Sequence, residues 1–238
     1  MPTPLDVGFA IVFAVLFAVL SAVYFDPRDR ERVAKGAPAA RRNMYRRTMI
    51  GEWGLAVLAV LLWAREGRSW ALLGLQPPTD WRLIIGLALV LVTAALALRQ
   101  AASIRRSSDD RLDKLRPKLA GHELIVPQTL TEYRWFVALS ITAGICEELL
   151  YRGFLTWLLA SYMPVVVAII VVSVTFGLAH AYLGRRGIIN AGVVGLFMSL
   201  IVLASGWLIP AMVIHALIDV SSAIVGYRVL GRPAVRAT

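Results

Sequence analysis

Gly144-Ile-Cys-Glu-Glu-Leu-Leu-Tyr-Arg-Gly153 is the stretch that decides how this chain folds. Two adjacent acids, Glu147 and Glu148, and one base, Arg152, stand inside a run that otherwise reads as buried in lipid. An ionisable side chain at the bilayer centre costs about 2.5–3.5 kcal/mol on insertion scales, so such residues face a bundle interior and mark function.

Working outward, the chain has 238 residues, 58% of them hydrophobic and only 17% charged. A soluble domain carries about 25% charged residues. Apolar runs recur at close to the ~20 residues that cross a bilayer as helix. The fold class is therefore all-α, a polytopic transmembrane helical bundle of about seven spans. They are expected at Leu5–Phe25, Met49–Ala64, Trp81–Leu98, Trp135–Leu159, Val165–Tyr182, Ile188–Ala204 and Trp207–Val229. With the N-terminus outside and the C-terminus cytoplasmic, 21 Lys and Arg fall on inside segments and 3 on outside ones, Arg152 lying in the membrane. That split follows the positive-inside rule. The net charge of +10 then reflects basic loops facing anionic lipid, and no nucleic-acid partner is implied. The first run has no basic residue before it and many after it, the reverse of a signal peptide, so it reads as a retained helix. Trp53 and Trp63 suit the two membrane interfaces. A short amphipathic helix is expected near Asp110 to Leu119 in the third loop, which also holds His122.

Composition divides the chain into a scaffold at 1–126, with three spans and long basic loops, a working core at 127–230, with four spans and short turns, and a tail at 231–238. Gly184-Arg185-Arg186-Gly187 reads as the turn between the fifth and sixth spans. Ser173, Gly177 and Ala181 repeat every four residues, as do Ala191, Gly195 and Ser199, and small residues at that spacing let helices approach closely.

The intramembrane polar residues carry the chemistry. Glu148 and Arg152 are four apart with the acid first, the favoured order for a helical ion pair. Glu147 has no base at three or four positions on its own helix and must find a cation, a histidine or a metal elsewhere, or keep its proton. His180 ends Phe176-Gly-Leu-Ala-His180, and His215 begins His215-Ala-Leu-Ile-Asp219, each pair sharing one helical face. Glu147, His180 and His215 supply a base and two imidazoles, a set that polarises water and stabilises an oxyanion. The same three residues offer an alternative, a zinc site with its fourth position open to water. Ser173 and Ser199 lack a nucleophile-elbow sequence. The lone Cys146 excludes a disulfide framework and a Cys-rich zinc site, and reads as a small buried hydrophobe.

Glu147-Glu148-x-x-x-Arg152, Phe176-x-x-x-His180 and His215-x-x-x-Asp219, in that order, resemble the CPBP family, the Abi-type intramembrane proteases related to the CAAX prenyl endopeptidase. The resemblance covers roughly Pro127 to Tyr227, with a looser match at Leu73-Gly74-Leu75. It implies a CAAX-protease-like hydrolase in which Glu147 and His180 activate water while His215 and Asp219 support the oxyanion. Glu148, Arg152 and Phe176 would be supporting residues. It further implies a metalloprotease label, hence a divalent metal such as zinc as a cofactor expectation. The partners it implies are membrane lipid and a membrane-associated, sometimes lipidated, peptide or protein substrate. The setting it implies is a multi-pass protein of a bacterial or archaeal-type plasma membrane. Two other functions keep intramembrane Glu, His and Asp: a non-catalytic immunity or scaffold protein and a proton-coupled transporter. Counted from the expected cytoplasmic edges, His180 lies about 8 Å deep and Glu147 and His215 about 20 Å, so tilt or a shifted boundary near Gly184 must bring them together.

Overall fold

The computed structural model describes residues 1–17, 19, 26–37, 39–119 and 123–231. Within them the chain is helical, with no strand. The helices are α1 (Pro4–Ile11), α2 (Asp26–Ala34), α3 (Ala40–Arg65), α4 (Trp81–Arg105), α5 (Asp109–Leu115), α6 (Leu130–Glu148), α7 (Thr156–Ala160), α8 (Val165–Ala179), α9 (Gly184–Ser205) and α10 (Leu208–Leu230). Four helices are long and apolar enough to cross a membrane: Ala40–Arg65, Trp81–Arg105, Ala181–Ser205 and Leu208–Leu230. Two shorter apolar helices run Pro4–Val15 and Val165–Ala179. Part of the expected first span, His122 and nearly all of the tail lie outside the described residues.

Helix α6 starts where Thr129 and Glu132 form a capping box, each accepting a bond from the other's backbone N–H. It does not stop at Glu148. A π-helical segment, Leu149–Leu155, carries it into α7, and Thr156 Oγ1 donates to the Tyr151 carbonyl at 2.9 Å across the widened turn. Such π segments inside α-helices occur often at functional sites. This one begins directly after the two acids and contains Arg152. The centre of the bundle is apolar and aromatic: Phe13, Tyr151, Phe154, Trp63, Phe176 and Leu208 are all buried in one cluster.

The working helices approach closely where side chains are absent. A Cβ at Gly144 of α6 would lie 2.6 Å from the Met212 carbonyl of α10. A Cβ at Gly177 of α8 would lie 2.6 Å from the Ile188 carbonyl of α9 and 3.2 Å from the Gly192 Cα. Contact between α8 and α9 therefore runs through Gly177 and Gly192. Gly195 of the expected stripe faces Phe176 and Arg152 instead.

The scaffold is tied on at both ends. Arg68 donates to both oxygens of buried Asp6 at 2.8 and 2.6 Å, fixing α1. At the opposite end Arg41 of α3 donates to Glu132 at 2.8 Å, and Tyr45 donates to the Ile125 carbonyl.

Several expectations are corrected. Helix α8 ends at Ala179, not Tyr182, and a 3₁₀ turn spans Ala181–Leu183. Gly184-Arg185-Arg186-Gly187 is consequently the first turn of α9 and not a loop. Helix α4 runs past Leu98 to Arg105, carrying its basic end out of the apolar run. Trp63 is not at an interface: it is fully buried, with its ring edge-on to Trp157 at 4.6 Å. The short helix expected near Asp110 is present as α5, followed by a 3₁₀ turn at Arg116–Leu119.

Candidate active site

Half-buried Glu147 and buried Glu148 meet His215 where α6 and α10 pack through Gly144. Glu148, fully buried, accepts Arg152 Nη1 at 3.0 Å on its Oε1 and lies 2.7 Å from His215 Nδ1 through the same oxygen. One carboxylate thus holds both a helical neighbour and a residue 67 positions away. A carboxylate oxygen only accepts, so His215 Nδ1 carries the proton in this contact. The other ring nitrogen, Nε2, then faces Glu147 Oε2 at 3.7 Å and Asp219 Oδ2 at 3.8 Å. Both separations exceed hydrogen-bond length, leaving charge attraction as the interaction.

His180 caps the C-terminus of α8. Its Nδ1 lies 2.9 Å from the Phe176 carbonyl, which can only accept, so the proton is on Nδ1 and Nε2 presents a lone pair in the neutral ring. Phe176 stands at the junction: its ring is 4.7 Å from His180, edge-on to His215 at 6.2 Å and to Tyr151 at 5.0 Å, with the Arg152 guanidinium over its face at 4.2 Å. That cation–π contact adds to the Glu148 pair in compensating the buried charge of Arg152.

Glu147 and His180 line one small cavity of about 100 Å³, together with Phe13, Thr48, Glu52 and Tyr182. The shifted boundary removes the depth mismatch, since α8 ends at Ala179. From the Ser161–Pro164 turn, Glu147 lies about 20 Å along the rising helix and His180 about 22 Å along the descending one, so the two meet at one level. The short α8 makes this possible.

Sequence reasoning brought Glu147, His180, His215, Asp219, Glu148, Arg152 and Phe176 to one place, and the structure gathers all seven. It missed Glu52 of α3, which is buried, lines the cavity and has no hydrogen-bond partner for Oε2 among the described residues. The signal was an acid at the edge of an apolar run with no base three or four positions away on its helix, the criterion that singled out Glu147. It also missed that Glu148 holds His215, since the Arg152 spacing already accounted for that acid. Among the described residues, no group of three or more His, Cys, Asp or Glu side chains lies close enough together to hold a metal ion.

The fold and the cluster together define an integral membrane protein with an acid–histidine centre inside its helices. Residues 129–221 match the family model described as type II CAAX prenyl endopeptidase Rce1-like, and this segment carries all three motifs. No curated protein and no solved structure matches the chain.

Proposed function

We propose that this protein is an intramembrane endopeptidase that hydrolyses peptide bonds of membrane-associated substrates with a water molecule activated by Glu147 and His180. The observation that carries the reading is the shared cavity of Glu147 and His180, with the Nε2 edge of His215 3.7 Å from Glu147. Water held there donates to the Glu147 carboxylate and to the His180 lone pair, and its oxygen attacks the scissile carbonyl. His215, held by Glu148 and protonated on both nitrogens, donates from Nε2 to the developing oxyanion. Asp219 balances the imidazolium charge. Arg152 donates to Glu148 and holds it in place, a positioning role. Each of these steps uses protein groups. Lateral or cytoplasmic entry of substrate fits the location of Thr48 and Tyr182 at the cavity, each near a segment on the basic side of the chain. A multi-pass protein of a bacterial or archaeal-type plasma membrane, with its N-terminus outside, is the setting in which the basic loops face the cytoplasm.

The test uses purified protein in lipid nanodiscs with two quenched-fluorescent peptides, one farnesylated at a C-terminal cysteine and one an unlipidated transmembrane segment. Cleavage of either by the wild type, abolished by Glu147→Ala with the fold retained, supports the reading. Wild-type protein that cleaves neither peptide overturns it.

A further inference from the structure

Glu52 is the one acid at the cavity that the steps above do not use. It comes from α3, outside the family-matched segment, and is only 7% exposed. Its Oε2 has no hydrogen-bond partner among the described residues, which a carboxyl buried as packing glue would have. It lines the same void as Glu147 and His180, and its charged neighbours are Glu147, His215 and Asp219.

We propose that Glu52 is a catalytic residue of the same reaction, the general acid that protonates the departing amine, a role resting on the protease reading of Glu147. Two carboxyls around one void of about 100 Å³ do not both stay charged, since like charges at close range hold one proton between them. Their surroundings divide the roles. Glu147 has the His215 ring at 3.7 Å to balance a negative charge, and among the described residues no ion pair to Glu52 is present. The proton therefore rests on Glu52 and the charge on Glu147. Paired carboxyls in unlike environments recur as an acid and a base acting in one site.

The step balances. Water gives one proton to Glu147 as its oxygen bonds to the carbonyl carbon. The C–N bond then breaks, its electron pair stays on nitrogen, and nitrogen takes the Glu52 proton. Glu147 returns its proton to Glu52 across the cavity, restoring both groups. The net change is amide plus water to carboxylic acid plus amine.

A general acid matters for an amine leaving group and little for one that departs readily as an anion. The experiment therefore compares whichever of the two peptides the wild type cleaves with an analogue carrying an activated ester at the scissile position. Glu52→Gln should lower kcat on the amide by about 100-fold or more, the usual scale of general acid catalysis, and on the ester by less than about tenfold. Equal losses on both substrates assign Glu52 a purely structural role and overturn the proposal, as does an unimpaired amide rate. If Glu52→Gln does not fold, judged by size-exclusion profile, Glu52→Asp serves: withdrawing the acid by one methylene should lower the amide-to-ester rate ratio, and an unchanged ratio overturns the proposal. A wild type that cleaves neither peptide overturns the protease reading and this role with it. Cleavage lost in Glu147→Ala but intact in Glu52→Gln overturns Glu52 alone.

Discussion

Glu148 Oε1 lies 2.7 Å from His215 Nδ1 and 3.0 Å from Arg152 Nη1, so one oxygen atom couples the π segment of the first motif to the last helix. The pair is fully desolvated, and removing one partner of a buried ion pair typically costs 3–5 kcal/mol because the other is stranded. Arg152→Met should therefore destabilise the protein by about 3–5 kcal/mol, read as a large fall in thermal midpoint in detergent. An unchanged midpoint would mean that Glu148 is not relying on Arg152.

The second buried pair makes a sharper test. Arg68 grips Asp6 with two bonds, and its guanidinium also lies over Trp157 at 4.6 Å. Arg68→Met alone should cost about 3–5 kcal/mol, whereas Asp6→Leu with Arg68→Met should recover most of that loss, since apolar replacement of a whole buried pair is often neutral. A double-mutant cycle in thermal unfolding measures the difference. Additive losses would show that the two side chains stabilise independently.

Much of this architecture was legible because lipid imposes it. Apolar runs, basic loops and short turns locate the helices, and the small residue Gly177 marks where two of them touch, whereas the close approach at Gly144 was not read from the sequence. The end of α8 was not legible. Ala179-His180-Ala181-Tyr182 is as compatible with helix as what precedes it, and the first glycine after it, Gly184, opens the next helix instead of marking the turn. The π segment was hidden for a similar reason, since its residues are ordinary helix formers and only the hydrogen-bond geometry reveals it. In the site, residues on one helix were readable from i,i+4 spacing. Contacts between helices, such as Glu148 with His215 or Glu52 with the cavity, depend on rotation of one helix against another, which spacing does not encode.

Close approach can be tested by adding a single methyl group. Gly144→Ala puts a Cβ 2.6 Å from the Met212 carbonyl and must push α6 away from α10, an overpacking cost of about 1–3 kcal/mol. Gly54→Ala on α3 meets nothing within 4 Å and, in the middle of a helix, should raise stability by up to about 1 kcal/mol. Because His215 rides on α10, Gly144→Ala should also reduce cleavage while Gly54→Ala leaves it intact. Thermal midpoints and cleavage rates of both variants check this.

Outside the apolar run, Glu132 gives a pH prediction. Burial pushes its carboxyl up, but the Gln128 and Thr129 N–H groups and Arg41 outweigh burial and hold it below the ordinary carboxylate value near 4.5. A lowered value in the folded state means that its contribution is complete above the unfolded value and is lost as pH falls through the folded one. The stability gap between wild type and Glu132→Gln should be constant above pH about 4.5 and close progressively below it. Unfolding curves for both proteins from pH 7 to pH 3 measure the gap. A gap that widens on acidification would reverse the sign and refute the assignment.

The two acids beside His215 should differ sharply under amide substitution. Glu148 bonds Nδ1 directly at 2.7 Å and holds the ring's orientation, while Asp219 sits 3.8 Å from Nε2 and acts through charge alone. Glu148→Gln removes the negative charge that accepts the Nδ1 proton and balances the imidazolium, so the doubly protonated ring that donates from Nε2 to the oxyanion is lost. Loss of the carboxylate behind a catalytic imidazole costs up to about 10⁴-fold in rate in the best-studied triad. Asp219→Asn keeps shape and polarity and removes only a charge beyond bonding distance, so it should cost about tenfold or less. The measurement is kcat on the cleaved peptide for both variants, each checked for an intact fold. If Asp219→Asn is the more damaging change, then Asp219, not Glu148, is the group that orients His215.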